Sequence, residues 1–136
     1  MKNRSLILGL LGILLFACDA ANAADRQFSV FVSVPIKNEL TDYVKSTVTR
    51  ELQGFPDIRL VDQLVHGKGQ YVISIVALPF KLPGGDTVGI ALSYVFQDCD
   101  KIMHGVLTGL PDDLENLSEV LVSIFNFKLV EPNRHG

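Results

Sequence analysis

The run Tyr71-Val-Ile-Ser-Ile-Val-Ala-Leu-Pro-Phe80 and its companion Val88-Gly-Ile-Ala-Leu-Ser-Tyr-Val-Phe96 decide the fold. Both are dense in β-branched and aromatic residues, which fit a pleated, half-buried surface. Between them, Lys81-Leu-Pro-Gly-Gly-Asp-Thr87 concentrates residues that reverse a chain, so the spacing predicts a β-hairpin. The rest of the sequence reads as elements paired with this hairpin or packed onto it.

Upstream, Phe28-Ser-Val-Phe-Val-Ser-Val34 alternates with a period of two, and Pro35 ends it because proline cannot donate to a ladder. The period then changes. Ile36, Leu40, Tyr43, Val44, Val48 and Leu52 recur at helical spacing, with Pro35 or Asn38 as the start and Gly54 and Pro56 as the stop. Asp57-Ile-Arg-Leu-Val-Asp62 is short enough to be a brief edge strand or an extended lead-in to a loop. Downstream, Gln97-Asp-Cys-Asp100 makes a turn and Lys101–Thr108 reads as a third consecutive antiparallel strand. Asp112 or Asp113 then starts a helix with the stripe Leu114, Leu117, Val120, Leu121, Ile124 and Phe125, and Glu115 suits the positive end of its dipole.

The order β-α-(β)-β-β-β-α predicts an α+β two-layer sandwich: a mostly antiparallel sheet of four to five strands with two helices on one face. If Phe28, Val30, Val32, Ile90, Leu92, Tyr94 and Phe96 face the helices, a second face remains. It holds Ser29, Phe31 and Ser33, Ser74 from the hairpin, and Ala91, Ser93 and Val95. That face is semi-apolar and uncharged, a pattern that often marks an interface, although a loop or tail is an alternative cover.

The N-terminus bounds where the chain works. Lys2 and Arg4 precede an apolar run from Leu6 to Ala17 that is too short to span a membrane, and Ala21-Asn22-Ala23 fits a small-x-small cleavage pattern. Residues 1–23 are therefore expected to be a signal peptide, 24–130 a single domain and 131–136 a flexible polar tail. Leu15-Phe16-Ala17-Cys18 resembles the lipobox of bacterial lipoproteins, which makes Cys18 an alternative lipidation site. Only such an anchor would bring the protein to a membrane. Loss of Lys2, Arg4 and Asp19 takes the formal net charge from −3 to −4. That balance disfavours nucleic acid, which needs a clustered positive footprint.

No reactive constellation stands out. His66 in Val65-His-Gly-Lys-Gly69 lacks the Ser or Thr and the following helix that a phosphate cradle needs. Cys99 and His104, flanked by Asp98 and Asp100, are the nearest thing to a thiol nucleophile with a base, but nothing marks an oxyanion site. As metal ligands they mix hard and soft donors without a recognised spacing, so no metal or cofactor is expected. Cys99 is expected to be buried and inert. Asp98 and Asp100 are expected to be turn formers.

The V-x-V alternation, one long helix, Ile58-Arg-Leu-Val-Asp62 and Tyr71-Val-Ile-Ser-Ile-Val76 together resemble small bacterial extracytoplasmic domains of the TolB N-terminal kind, over Phe28 to Leu78. The resemblance implies envelope assembly and partner binding. The reading expected from the whole sequence is an exported, non-catalytic binding or adaptor domain that contacts another envelope protein or itself. Its rival is a small hydrolase or thiol-dependent enzyme using Cys99 and His104.

Overall fold

The computed structural model describes residues 27–64 and 70–135. The expected signal peptide, Cys18 and His66 lie outside these residues. The elements are β1 (Phe28–Ser33), α1 (Glu39–Gln53), β2 (Ile58–Leu60), β3 (Gln70–Lys81), β4 (Thr87–Gln97), β5 (Ile102–Gly109) and α2 (Leu114–Phe125). A π-helical turn over Asn126–Val130 then runs into a short α3, Glu131–Arg134.

The strands form one sheet in the order β2-β1-β3-β4-β5. β3, β4 and β5 are a consecutive antiparallel meander, as expected, while β1 pairs in parallel with both β2 and β3. The parallel pairs follow from α1, a crossover that returns the chain to the starting end of β1. Gly85 closes the β3–β4 hairpin with φ +93, a value that side-chain-bearing residues rarely adopt.

Both helices cover the same face. Phe28, Val30 and Val32 of β1, Tyr71, Ile73, Ile75 and Ala77 of β3, and Ile90, Leu92 and Phe96 of β4 are buried in one core with Val44, Val48 and Leu52 of α1 and Leu117, Leu121 and Phe125 of α2. The helical stripes are rotated from the expected ones. On α1, Thr41 and Thr47 are buried while Tyr43 is exposed, and Ile36 lies before the helix in solvent. On α2, Ser118 and Val122 are buried and Val120 is exposed, while Ile124 packs half-buried against the core as expected. Two threonines at the α1 contact let the helix sit close to the sheet, and Ser118 is tolerated because its hydroxyl donates to the Leu114 carbonyl at 2.7 Å.

Thr41 also completes the sheet. β1 pairs with β3 only as far as Ser74, so the backbone of Ala77 has no strand beside it on that side. The Ala77 N–H donates to Thr41 Oγ1 at 3.1 Å, and Asn38 Nδ2 donates to the Ala77 carbonyl at 3.1 Å. Asn38 Oδ1 meanwhile accepts from the Thr41 N–H at 2.8 Å and so caps the helix. Replacing Thr41 by the near-isosteric Val strands a buried N–H, so Thr41→Val should cost about 1–3 kcal/mol in urea unfolding. A loss of a few tenths would show that water reaches Ala77.

The C-terminal end departs from expectation. The segment after Val130, read as a flexible tail, is over Glu131–Arg134 a helical turn, and Leu129 and Val130 before it are buried. Arg134 grips Asp57 through two hydrogen bonds, Nε to Oδ2 at 2.6 Å and Nη2 to Oδ1 at 3.0 Å, and also pairs with Glu131. Asn133 Nδ2 donates to the Tyr71 hydroxyl at 3.0 Å. Burial pushes the Tyr71 phenol up, and the Asp98 carboxylate adds to the shift. The start of α2 differs in detail too. Asp113 sits at the cap position, but its carboxylate turns back to accept from the Leu110 N–H at 3.2 Å.

The Arg134 guanidinium holds the Asp57 carboxyl below its ordinary value. A carboxyl depressed in the folded state contributes stability above its unfolded-state pKa of about 4, and that contribution fades as pH falls through the folded value. Asp57→Asn should therefore cost about 1 kcal/mol at neutral pH, and the gap to the parent should narrow as pH falls below about 4. A gap that stays constant with pH would assign the loss to something other than the charge.

Candidate functional site

The face opposite the helices is the candidate site, and its geometry follows from strand register. Successive side chains alternate between faces, and residues directly paired across strands share a face. Six rows result: Arg59–Ser29–Gln70, Phe31–Val72–Gln97–Ile102, Ser33–Ser74–Val95–His104, Val76–Ser93–Val106, Leu78–Ala91–Thr108 and Phe80–Gly89. Apart from Arg59 at the β2 edge, no Lys, Arg, Asp or Glu stands in them, and His104 is the one other ionisable side chain of these rows.

All seven residues expected on a second face lie on this side: Ser29, Phe31, Ser33, Ser74, Ala91, Ser93 and Val95. The structure adds the most exposed apolar groups of these rows. Leu78 is 50% exposed, Phe80 51%, Val106 61% and Ile102 68%. On β5 the alternation was hidden. Its helix-side positions include Gly105 and Gly109, so apolar weight does not separate the two faces. Phe80 packs over Gly89, where an added Cβ would meet its ring at 3.2 Å. With Leu82 and Val88, both about half exposed, it gathers three large apolar groups at the hairpin end.

The dimensions set what the face can do. The five uncharged rows on four strands span roughly 25 Å by 15 Å, or a few hundred Å². A standard interface takes about 800 Å² from each partner. The face alone suits a transient contact, and a lasting one needs the hairpin end or a sheet edge as well.

Cys99 and His104 stand on different parts of the fold, the turn after β4 and the open face of β5. Cys99 is exposed in the two-residue turn between β4 and β5, contrary to the expectation that it would be buried. Asp98 sets that turn: its Oδ1 accepts from the backbone N–H groups of Asp100 and Lys101, each at 2.7 Å. His104 stands exposed on the open face, opposite Val95. Among the described residues no cluster of three or more His, Cys, Asp or Glu side chains could hold a metal ion.

Clefts among the described residues include three elsewhere. One of ≈ 310 Å³, between the ends of β1 and β2 and the flank of α1, is lined by Lys45, Thr49, Gln53 and Asp62 among others. Two more, of ≈ 530 Å³ and ≈ 370 Å³, share Glu39, Leu40 and Pro111 near the start of both helices. Cys99 and His104 line none of the three.

No family model matches the chain, and no curated protein matches it. Among solved structures it is similar to a variant PelC dodecamer from Paraburkholderia phytofirmans in space group C2, with a TM-score of 0.42 and 16% identity over 74% of this chain and 85% of that one. It is similar also to the PelC dodecamer of the same organism in space group P6, with a TM-score of 0.41 and 15% identity over 74% of this chain and 87% of that one. Among the described residues no helix is long and apolar enough to cross a membrane.

Proposed function

We propose that the chain is an exported binding domain of the bacterial envelope that holds another envelope protein against its open sheet face. The observation that carries this reading is the face itself: five uncharged rows with Leu78, Phe80, Ile102 and Val106 half or more exposed. Leaving such groups in water forfeits roughly 25 cal/mol for each Å² that a partner would cover. Export is supported by the basic, apolar and small-residue succession of residues 1–23, and lipidation at Cys18 is the variant of it that ends in a membrane anchor. The resemblance of Phe28–Leu78 to domains of the TolB N-terminal kind favours the same class of role.

The test is capture by the purified domain from an envelope fraction. Phe31→Asp combined with Ser93→Lys places two charges on the face without entering the core. This double variant should reduce capture of the partner by at least about tenfold, the equivalent of 1.4 kcal/mol, while keeping the parental melting profile. Partner recovery equal to the parent's would sink the reading. Cys99→Ser should leave capture unchanged, and a lost phenotype in that variant would favour thiol chemistry instead.

A further inference from the structure

The two edges of the sheet are treated differently by the sequence. At one edge β2 is three residues long, carries Arg59 and is backed by the Asp57–Arg134 clamp. Short, charged and covered edges are the usual protection against further strand pairing. At the other edge β5 runs for eight residues, Ile102–Gly109, with no Pro, no charged residue and no bulge in its pairing to β4.

The phase of the hydrogen bonds shows which groups this edge presents. The Asp98 N–H donates to the Lys101 carbonyl at 3.0 Å, so these two residues close the turn as a hydrogen-bonded pair. Pairs then alternate along an antiparallel ladder with unbroken register, which turns the N–H and C=O of Ile102, His104, Val106 and Thr108 outward. These groups have no hydrogen-bond partner among the described residues. The next outward position, Leu110, is closed by its own chain: its N–H goes to Asp113 Oδ2 and its carbonyl accepts from the Asp113 N–H. The free edge therefore ends where the strand ends.

We infer that β5 pairs with β5 of a second copy of this chain, antiparallel about a two-fold axis at Gly105, so that the two sheets become one. Register selects the centre. A one-residue slip would oppose the two faces of the sheet, and centring on His104 would set two histidines directly against each other. Centring on Gly105 pairs Ile102 with Thr108, Met103 with Leu107 and His104 with Val106 of the second copy, and uses all four outward residues for about eight main-chain hydrogen bonds. Ile102 and Val106, the two most exposed apolar groups of the open face, gain neighbours in that arrangement.

Charge fits a second copy too. Lys101, on the helix side at one end of β5, comes to the end of the partner strand where Asp112 and Asp113 begin α2, twice per dimer. Asp98 is already satisfied by its own turn, and Asp100 falls beyond the last paired residue, where solvent screens it. Tyr94 lies flat across Gly105 and carries its hydroxyl over the edge strand, so the axis passes beneath two rings.

This inference concerns the edge and not the face, and Phe31 and Ser93 are not on β5, so either can fail alone. Sedimentation of the purified chain at roughly 100 µM, about a hundredfold above a micromolar Kd, should show a reversible dimer. Val106→Pro removes an outward N–H without touching the β4 ladder, and should weaken the dimer at least about tenfold while the melting profile stays parental. Should that variant misfold, amide exchange on the parent decides the matter. Exchange at Ile102, His104, Val106 and Thr108 should slow as concentration rises. A monomer at that concentration, a dimer indifferent to Val106→Pro, or exchange at those four amides independent of concentration would overturn the inference.

Discussion

Phe125→Ala should remove about 3–5 kcal/mol of stability, the cost of emptying a large buried aromatic site. Phe125 is fully buried on α2 and is the centre of an aromatic chain across the helix side of the sheet. Its ring meets Tyr71 of β3 at 5.7 Å and Phe96 of β4 at 5.3 Å, both edge-on. Phe28 of β1 touches Tyr71 at 6.0 Å and Tyr94 stacks on Phe96 at 4.6 Å, so one ring on α2 joins side chains from three strands. Each such pair adds about 0.5–1.5 kcal/mol beyond the area it covers. A domain of this size has about 5–15 kcal/mol in all, so the variant should be marginal at room temperature. Phe125→Leu keeps most of the volume and should recover at least half of the loss. Urea midpoints measure both, and a cost below about 1.5 kcal/mol for the alanine variant would mean that the core closes over the gap.

Gly105→Val should cost about 2–3 kcal/mol, for the opposite reason. A Cβ at position 105 would stand 2.3 Å from Tyr94 Oη and 2.5 Å from its Cζ, inside any permitted contact. The valine side chain and the Tyr94 ring cannot share the space over β5. Either the ring turns off Phe96 and loses its stacking, or β5 separates from β4. Truncating the ring provides the control. In a Tyr94→Ala background the same valine should be nearly neutral, a coupling of about 2 kcal/mol between two residues in direct contact. An additive double variant would show that Tyr94 does not lie across Gly105.

Much of the fold was legible because it rests on periodicity. The turn chemistry of Pro83, Gly84, Gly85 and Asp86 fixed the hairpin, and the alternation in Phe28–Ser33 fixed which side of β1 is buried. The clear spacing of Val44, Val48 and Leu52 placed α1 on the sheet. What the sequence hid were contacts between distant residues. Thr41 looks like an ordinary polar helix position until the backbone of Ala77, 36 residues on, is seen to need its hydroxyl. Residues 131–136 read as a polar tail, yet Pro132 suits the first turn of a helix, and the partner of Arg134 lies 77 residues away. Cys99 was expected inside because it lies among turn and strand residues near the core hairpin, but in the turn between β4 and β5 it is exposed.

The same contrast holds for the candidate site. Seven of its residues follow from side-chain parity on β1, β3 and β4. The β5 residues do not, since glycines at Gly105 and Gly109 remove apolar weight from the helix side and blur the alternation there. Only the pairing of Ser93 with Val106 and of Val95 with His104 shows that β5 extends the face.

The central claim is that the bare side of the sheet, and not the helix side, meets the partner. Site-specific photocrosslinking in intact cells tests it most directly, with the photoreactive residue placed at Ser93 on the open face or at Glu119 on the exposed side of α2. The account predicts a discrete protein adduct from position 93 and none from position 119. An adduct from position 119 with none from position 93 would contradict it.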